Sequence, residues 1–355
     1  MDPDVLPTRK IVIAATAFGV AFGLVALAPF VFRVLLVVFA AVLFAILLNG
    51  MSLPLRRFVG LKRVWSVPLA ALLLIGLFAL FAVLGGPAFG EQLKQLVERL
   101  PESMGRLREL LQSIGVHGLM TDWVETSTEG GGPDASTLLK GISGFFSTAV
   151  GALTNMALVL IVGLYLAINP DPYLRAIVRL TPPRGRARAE EILAQLSQSL
   201  HWWFAGQLSS MAVVGVLTGI GLWLIDMPLV FALALIAGLF GFVPYIGPIA
   251  AAVPAVLIGL AQSPVMALYA VLVYVVVQIM EGNFITPFIQ ERAVALPPAA
   301  LLVGQVLMGV LFGLAGLLLA TPLAVVAILL VQMLYVHQVL KDPVPLLGAS
   351  HGEED

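Results

Sequence analysis

The chain has 355 residues, 60% of them hydrophobic and only 11% charged, with a mean hydropathy of +1.03. A soluble domain carries about 25% charged residues and could not bury this much apolar surface, so a water-soluble globular fold is excluded. The formal net charge of -1 offers no field for nucleic acid, and the absence of cysteine excludes disulfides and thiolate metal sites.

The apolar runs are continuous rather than alternating, which predicts an all-α, polytopic transmembrane bundle and not a β-barrel. A polar tail ends in Arg9-Lys10. Residues 11–28 form the first predicted span. They lack a small-residue cleavage site and read as a span, not a signal peptide. Pro29 to Arg33 is expected to turn the chain into a second span, 34–48. A basic loop follows, with Arg56, Arg57, Lys62 and Arg63. A third span, 67–84, ends at Gly85-Gly86-Pro87 and closes an N-terminal unit, 1–87.

Residues 88–140 form an insert of different character. Leu93, Leu96, Val97, Leu100, Met104, Leu107 and Leu111 recur at helical spacing, which predicts an amphipathic helix over 91–112 with a kink at Pro101. A Gly-rich acidic loop, 126–136, follows. The next unit, 141–206, holds a fourth span (142–168), a stop at Asn169-Pro170-Asp171-Pro172 and an amphipathic helix over 190–204. Its aromatics His201-Trp202-Trp203-Phe204 suit a membrane interface. The unit 207–340 is the expected transporter core, and 341–355 is a polar tail. Within the core, spans are expected at 208–225 and 229–243, a half-helix at 249–260, a span at 265–285 and a closing helical pair at 299–312 and 315–336.

Lys and Arg bias sets the expected orientation. The N-terminus and the 56–63 loop are basic and hence cytoplasmic. Residues 88–140 hold five basic and eight acidic side chains and fall outside. Residues 169–206, with five arginines against three acids, return to the cytoplasm. The predicted location is a membrane crossed several times, with the N-terminus cytoplasmic.

The core is organised around Pro244-Tyr245-Ile246-Gly247-Pro248. Two prolines and a glycine break a helix whose flanks are as apolar as lipid. Broken backbone at membrane depth survives only against protein or a watery cavity, and in transporters such breaks build solute or ion sites. Pro244, Gly247 and Pro248 are therefore expected to form a hinge, with Tyr245 offering a hydroxyl. Glu281 is the carboxylate nearest membrane depth. It carries a proton or cation, or else it marks a solvated span end paired with Arg292. Asn283, Thr286 and the carbonyls freed at Pro287 either coordinate a small polar solute or cation or satisfy one another. Gln278, Gln207 and Gln305 either contact solute or hold helices together. Gly215 with Gly219, and Gly309 with Gly313, are spaced for close helix packing. Thr286-Pro287 and Thr321-Pro322 are matched breaks 35 residues apart, as a repeated hairpin would give. No phosphate loop, metal-ligand spacing or hydrolase motif occurs, so no enzyme, no metal and no cofactor beyond a coupling H+ or Na+ is expected.

Three blocks together carry a resemblance. They are Gly206-Gln207 through Val243-Pro244-Tyr245-Ile246-Gly247-Pro248, Glu281-Gly282-Asn283-Phe284-Ile285-Thr286-Pro287, and Phe312-Gly313-Leu314-Ala315-Gly316 through Thr321-Pro322-Leu323. In this order and spacing they resemble the autoinducer-2 exporter family of bacterial membrane proteins, over roughly residues 200–335. The resemblance implies about eight spans and a homo-oligomer, a pentamer. It also implies either export of the quorum-sensing signal autoinducer-2 or sodium(lithium)/proton antiport. The chain departs from the family pattern at Gly241, where Glu or Asn is usual, at Gln290-Glu291 in place of Met-Gly, and at Pro297 in place of His. With no polar side chain at 241, Glu281 is left as the ionisable candidate.

The reading that follows is a transporter of a small polar molecule working by alternating access. Solute would sit near the two breaks, 244–248 and 283–287, with lipid around the bundle. Sodium/proton antiport is the alternative. A non-transporting membrane scaffold, with the stretches 88–112 and 186–204 as partner-binding arms, is the third.

Overall fold

A computed structural model describes residues 8–113, 156–285 and 297–340. The acidic loop at 126–136, most of the fourth span, Thr286, Pro287, the elbow at Gln290-Glu291-Arg292 and the tail 341–355 lie outside them. Every regular element among the described residues is helical. Five helices are long and apolar enough to cross a membrane, or six if one bent pair is counted as a span.

Helix α1, Thr8–Phe58, is 51 residues long and unbroken. The turn expected at Pro29 to Arg33 is absent. One proline removes one donor, whereas opening a helix in lipid would strand several backbone groups at once. At 1.5 Å per residue α1 is about 77 Å long, more than twice the hydrocarbon thickness. Helix α2, Arg63–Leu84, packs back along it. Helix α3, Gly86–Ser113, is the predicted amphipathic helix, and it runs helical through Pro101. Helix α4, Met156–Ile168, stops where Asn169-Pro170 predicted, and α5, Asp171–Leu180, leaves it at 85°.

Helix α6, Arg186–Leu224, is the central strut. It merges the expected amphipathic helix and the fifth span, so it passes the 206/207 boundary without a break. Its first half buries Leu200, Trp203 and Phe204 against Leu43 of α1 and against Val325 and Leu329 near the C-terminus. Half of the aromatic run is therefore core rather than interface. Its last turn buries Leu222 with Leu96 of α3 and with Leu233, Ala255, Ile258 and Ala270 of the elements that follow. The apolar face of the second amphipathic stretch, and Leu93 and Leu96 of the first, are thus covered by the chain itself.

Helices α7, Val230–Phe240, and α8, Ile246–Gln262, are short. Eleven residues rise only about 17 Å, half of a bilayer core. Gln92 of α3 accepts a hydrogen bond from the Ala232 amide at 2.9 Å. It thereby caps an α7 N-terminus whose own N-cap, Leu229, is left-handed and makes no side-chain bond. Helix α3 also packs along α8. The start of α7 and part of α8 therefore both lie against α3, and α7 and α8 pack on each other as a helical hairpin. Gly215 and Gly219 of α6 form the predicted seam against α7. A Cβ at Gly215 would lie 3.5 Å from the Gly238 Cα, and one at Gly219 would lie 3.2 Å from the Ala234 Cβ. Helix α9, Pro264–Met280, starts under a Ser263 cap and continues as a π-turn, Glu281–Ile285.

Helix α10, Pro298–Leu330, is folded in two at Gly313, whose φ is +63°. Gln305 Nε2 donates to Thr321 Oγ1 at 3.4 Å. Sixteen residues of straight helix would hold those atoms about 24 Å apart, so the two arms run antiparallel. This is the predicted closing pair. Its reversal lies at Gly313, which is therefore a turn and not half of a packing seam. Pro322, expected at a break, lies buried inside the second helical arm. A π-helix, Val331–Leu340, ends the described chain.

The hairpin break itself lies three residues earlier than predicted, at 241–245, and Gly247 and Pro248 belong to the first turn of α8. A proline there gives up a donor that would have no helical partner anyway. Gly247 has a steric role. A Cβ at this position would overlap the Phe240 carbonyl, where the two arms of the hairpin meet. Gly247→Ala is expected to force the arms apart and destabilise the fold by about 1–3 kcal/mol. A detergent thermal-unfolding scan with an unchanged midpoint would refute this.

Candidate functional site

The break leaves a short accounting of backbone groups. The Gly241, Phe242 and Val243 amides donate back to Ala237, Leu239 and Phe240, and the Gly247 amide donates to Val243. The Ile246 amide donates to the Pro244 carbonyl at 2.8 Å, across a Tyr245 with φ +65° and ψ -56°. That is a γ-turn of the rare, positive-φ form, which costs on the order of 1–3 kcal/mol for a side-chain-bearing residue. The Gly241 carbonyl finds its partner outside the hairpin. Gln207 Nε2, buried on α6, donates to it at 2.6 Å.

Three side chains of α6 lie on one stripe, at spacings of four and three residues. Trp203 meets Phe242 of the break edge-on, with ring centroids 5.9 Å apart. Gln207 holds Gly241. Ser210, also buried, donates through Oγ to Glu281 Oε1 at 2.7 Å. The second carboxylate oxygen, Oε2, accepts from Gln278 Nε2 at 3.1 Å. Glu281 itself is half-buried and opens the π-turn. Such turns widen the helix and recur at functional sites. One helical stripe therefore touches both the broken hairpin and the Glu281 carboxylate.

The predicted site residues divide accordingly. Glu281, Gln278 and Gln207 are brought into one polar line. Tyr245 sits in the strained turn with a half-exposed side chain. Asn283 is exposed and donates to the Ile279 carbonyl of its own helix at 3.0 Å. Gln305 is buried in the α10 hairpin, where it bonds Thr321 and leaves its Oε1 without a hydrogen-bond partner. This is the helix-joining role for that glutamine. Pro244 lies in the break, whereas Thr286 and Pro287 fall outside the described residues. Ser210 and Gln92 were missed by the sequence reading. The signal for Ser210 was its place three residues after Gln207 inside an apolar span.

Farther along the α6–α9 seam, Thr218 Oγ1 and Tyr274 Oη are buried and have no hydrogen-bond partner. Tyr274 is one heptad from Glu281, on the same side of α9. An apolar groove of about 790 Å³ between α6 and α7, lined by Gly215, Gly219, Ala234 and Gly238, does not include Glu281.

Comparison with known proteins fits this arrangement. Residues 11–335 match the AI-2E family transporter description. The chain belongs to the AI-2E transporter family. It is 29% identical over 314 residues to "Putative transport protein YrrI" of Bacillus subtilis, covering 84% of this chain and 86% of that protein. It is 27% identical over 310 residues to "Putative transport protein YueF" of the same organism, covering 82% and 84%. With "AI-2 transport protein TqsA" of Escherichia coli it shares 23% identity over 330 residues, covering 87% and 86%. This AI-2E family chain is therefore a membrane protein of a transporter family. At Gly241 the hydrogen bond to α6 is made by the backbone carbonyl.

Removing the amide of Gln207 isolates its contribution. Gln207→Leu keeps the side-chain bulk but leaves the Gly241 carbonyl unpaired in an apolar surrounding. It is expected to cost about 1–3 kcal/mol, read as a lower unfolding midpoint in detergent. An unshifted midpoint would mean that the carbonyl is satisfied another way.

Proposed function

We propose that the chain exports a small polar molecule by alternating access, with Glu281 as the site of a coupling H+ or Na+. The observation that carries this reading is the pair of donors, Ser210 and Gln278, placed on a carboxylate within the apolar bundle. An ionisable group at that depth is costly and marks ion or solute pathways by default. Gln207 ties the same helix face to the broken hairpin, so solute at the break and ion at Glu281 would bias one element. The likeness to a protein named for AI-2 transport makes autoinducer-2 the substrate to test first. The proposed setting is the bacterial inner membrane, with the N-terminus cytoplasmic and the chain assembled as a homo-oligomer.

The test is flux of labelled autoinducer-2 in proteoliposomes under an imposed proton or sodium gradient. Glu281→Gln is expected to abolish gradient-driven accumulation. Ser210→Ala, which removes one hydrogen bond to the carboxylate, is expected to slow it about tenfold. Wild-type accumulation by Glu281→Gln would remove the coupling role. Sodium-induced alkalinisation of acid-loaded vesicles without autoinducer-2 flux would instead identify an antiporter.

A further inference from the structure

We propose that the elbow between α4 and α5 is a binding surface for anionic phospholipid. Helix α5 turns 85° away from the apolar helix before it, so it lies along the membrane plane if α4 crosses the membrane. It is anchored through Val178, its one buried residue, and it packs on α6. Tyr173, Leu174, Ile177 and Leu180 form an apolar stripe that stays exposed. Arg175 and Arg179, four apart, occupy the opposite, polar face and are exposed. An apolar stripe under a basic face is the pattern of a helix seated at the headgroup boundary.

A second basic segment converges on the same place. Arg63, at the start of α2, donates through Nε to the Ala167 carbonyl at 3.1 Å and through Nη2 to Asn49 at 2.8 Å. These bonds pin the end of α1, which carries Arg56 and Arg57, and the loop with Lys62 beside the last turn of α4. Arg184 and Arg186 follow α5 directly and are exposed. Two basic segments about a hundred residues apart in sequence thus meet at one end of the bundle, with Asp171 as the acid at the elbow. Arginine forks match phosphate oxygens, and clustered basic residues beside a membrane segment concentrate anionic lipid. The apolar stripe selects a phosphate that carries acyl chains over a free anion.

The chain has no cysteine, so Ile177→Cys gives a single labelling site on the stripe. The labelled full chain would be reconstituted in mixed phosphatidylglycerol and phosphatidylcholine vesicles, with acyl-chain bromines on one lipid at a time. Bimane at this position is expected to be quenched several-fold more by brominated phosphatidylglycerol. Adding Arg175→Gln and Arg179→Gln should bring the two lipids close to equal quenching. Equal quenching by the two lipids, or a preference that survives the double substitution, would overturn the proposal. Absence of quenching by either lipid would overturn it too, since the stripe would then face protein, such as a second copy. As a readout that avoids the label, phosphatidylglycerol nanodiscs should raise the unfolding midpoint of the wild type over phosphatidylcholine. The double variant should lose that rise while matching the wild type in phosphatidylcholine. An equal rise in both proteins counts against the proposal.

Discussion

A helix broken inside a membrane must satisfy the backbone groups it frees, and this requirement organises the core. Most of the break at 241–245 is satisfied by its own tight turns. The Gly241 carbonyl is bonded instead by Gln207 at 2.6 Å. A water molecule could do the same in an aqueous loop, but in a lipid-embedded hairpin the partner has to be built in. That one bond fixes the height of the hairpin along α6. Trp203 repeats the constraint in apolar terms by holding Phe242. The glycine contacts of Gly215 and Gly219 then set the distance at which α7 lies on α6.

The α10 hairpin solves the same problem with different parts. Its reversal needs no proline, because Gly313 takes a positive φ that other residues rarely adopt. Gln305 bridges the arms to Thr321, as Gln207 bridges α6 to the first hairpin. Close approach again falls on a glycine: a Cβ at Gly316 would overlap the Met308 carbonyl, as one at Gly247 would overlap that of Phe240. The core thus contains two hairpins, each with a glycine where the arms touch and a buried glutamine bonded to it. The first is further held by Gln92 and Leu96 of α3. Helix α3 therefore packs on the core through the part of it that carries Leu93 and Leu96.

Sequence patterning showed the class, most of the helices and the existence of the first break, because apolar length and proline chemistry are local. It misjudged Pro29 and Pro322, through which helices continue, whereas the second reversal falls at Gly313, between the two arms expected at 299–312 and 315–336. Whether a proline ends a helix depends on what neighbouring helices offer the freed carbonyl, and that is tertiary information. Glu281, Gln278 and Gln207 were visible as polar side chains in apolar runs. Ser210 was not, because a serine in a span is unremarkable until α9 is placed beside it. Gly247 and Pro248, expected within the break, stand in the first turn of α8, and the close approach of Gly247 to Phe240 exists only once the arms are folded together.

The groups around Glu281 also determine what a change of charge there would do. A carboxylate accepts on both oxygens, and Ser210 and Gln278 both donate to it. A neutral acid must donate through one oxygen. A serine hydroxyl can turn from donor to acceptor without moving its oxygen, whereas the Gln278 NH2 can only donate. The two sides of the carboxylate therefore differ: the Oε1 side faces a hydroxyl that can exchange donor and acceptor roles by rotation, whereas the Oε2 side is held as an acceptor by an NH2 that can only donate.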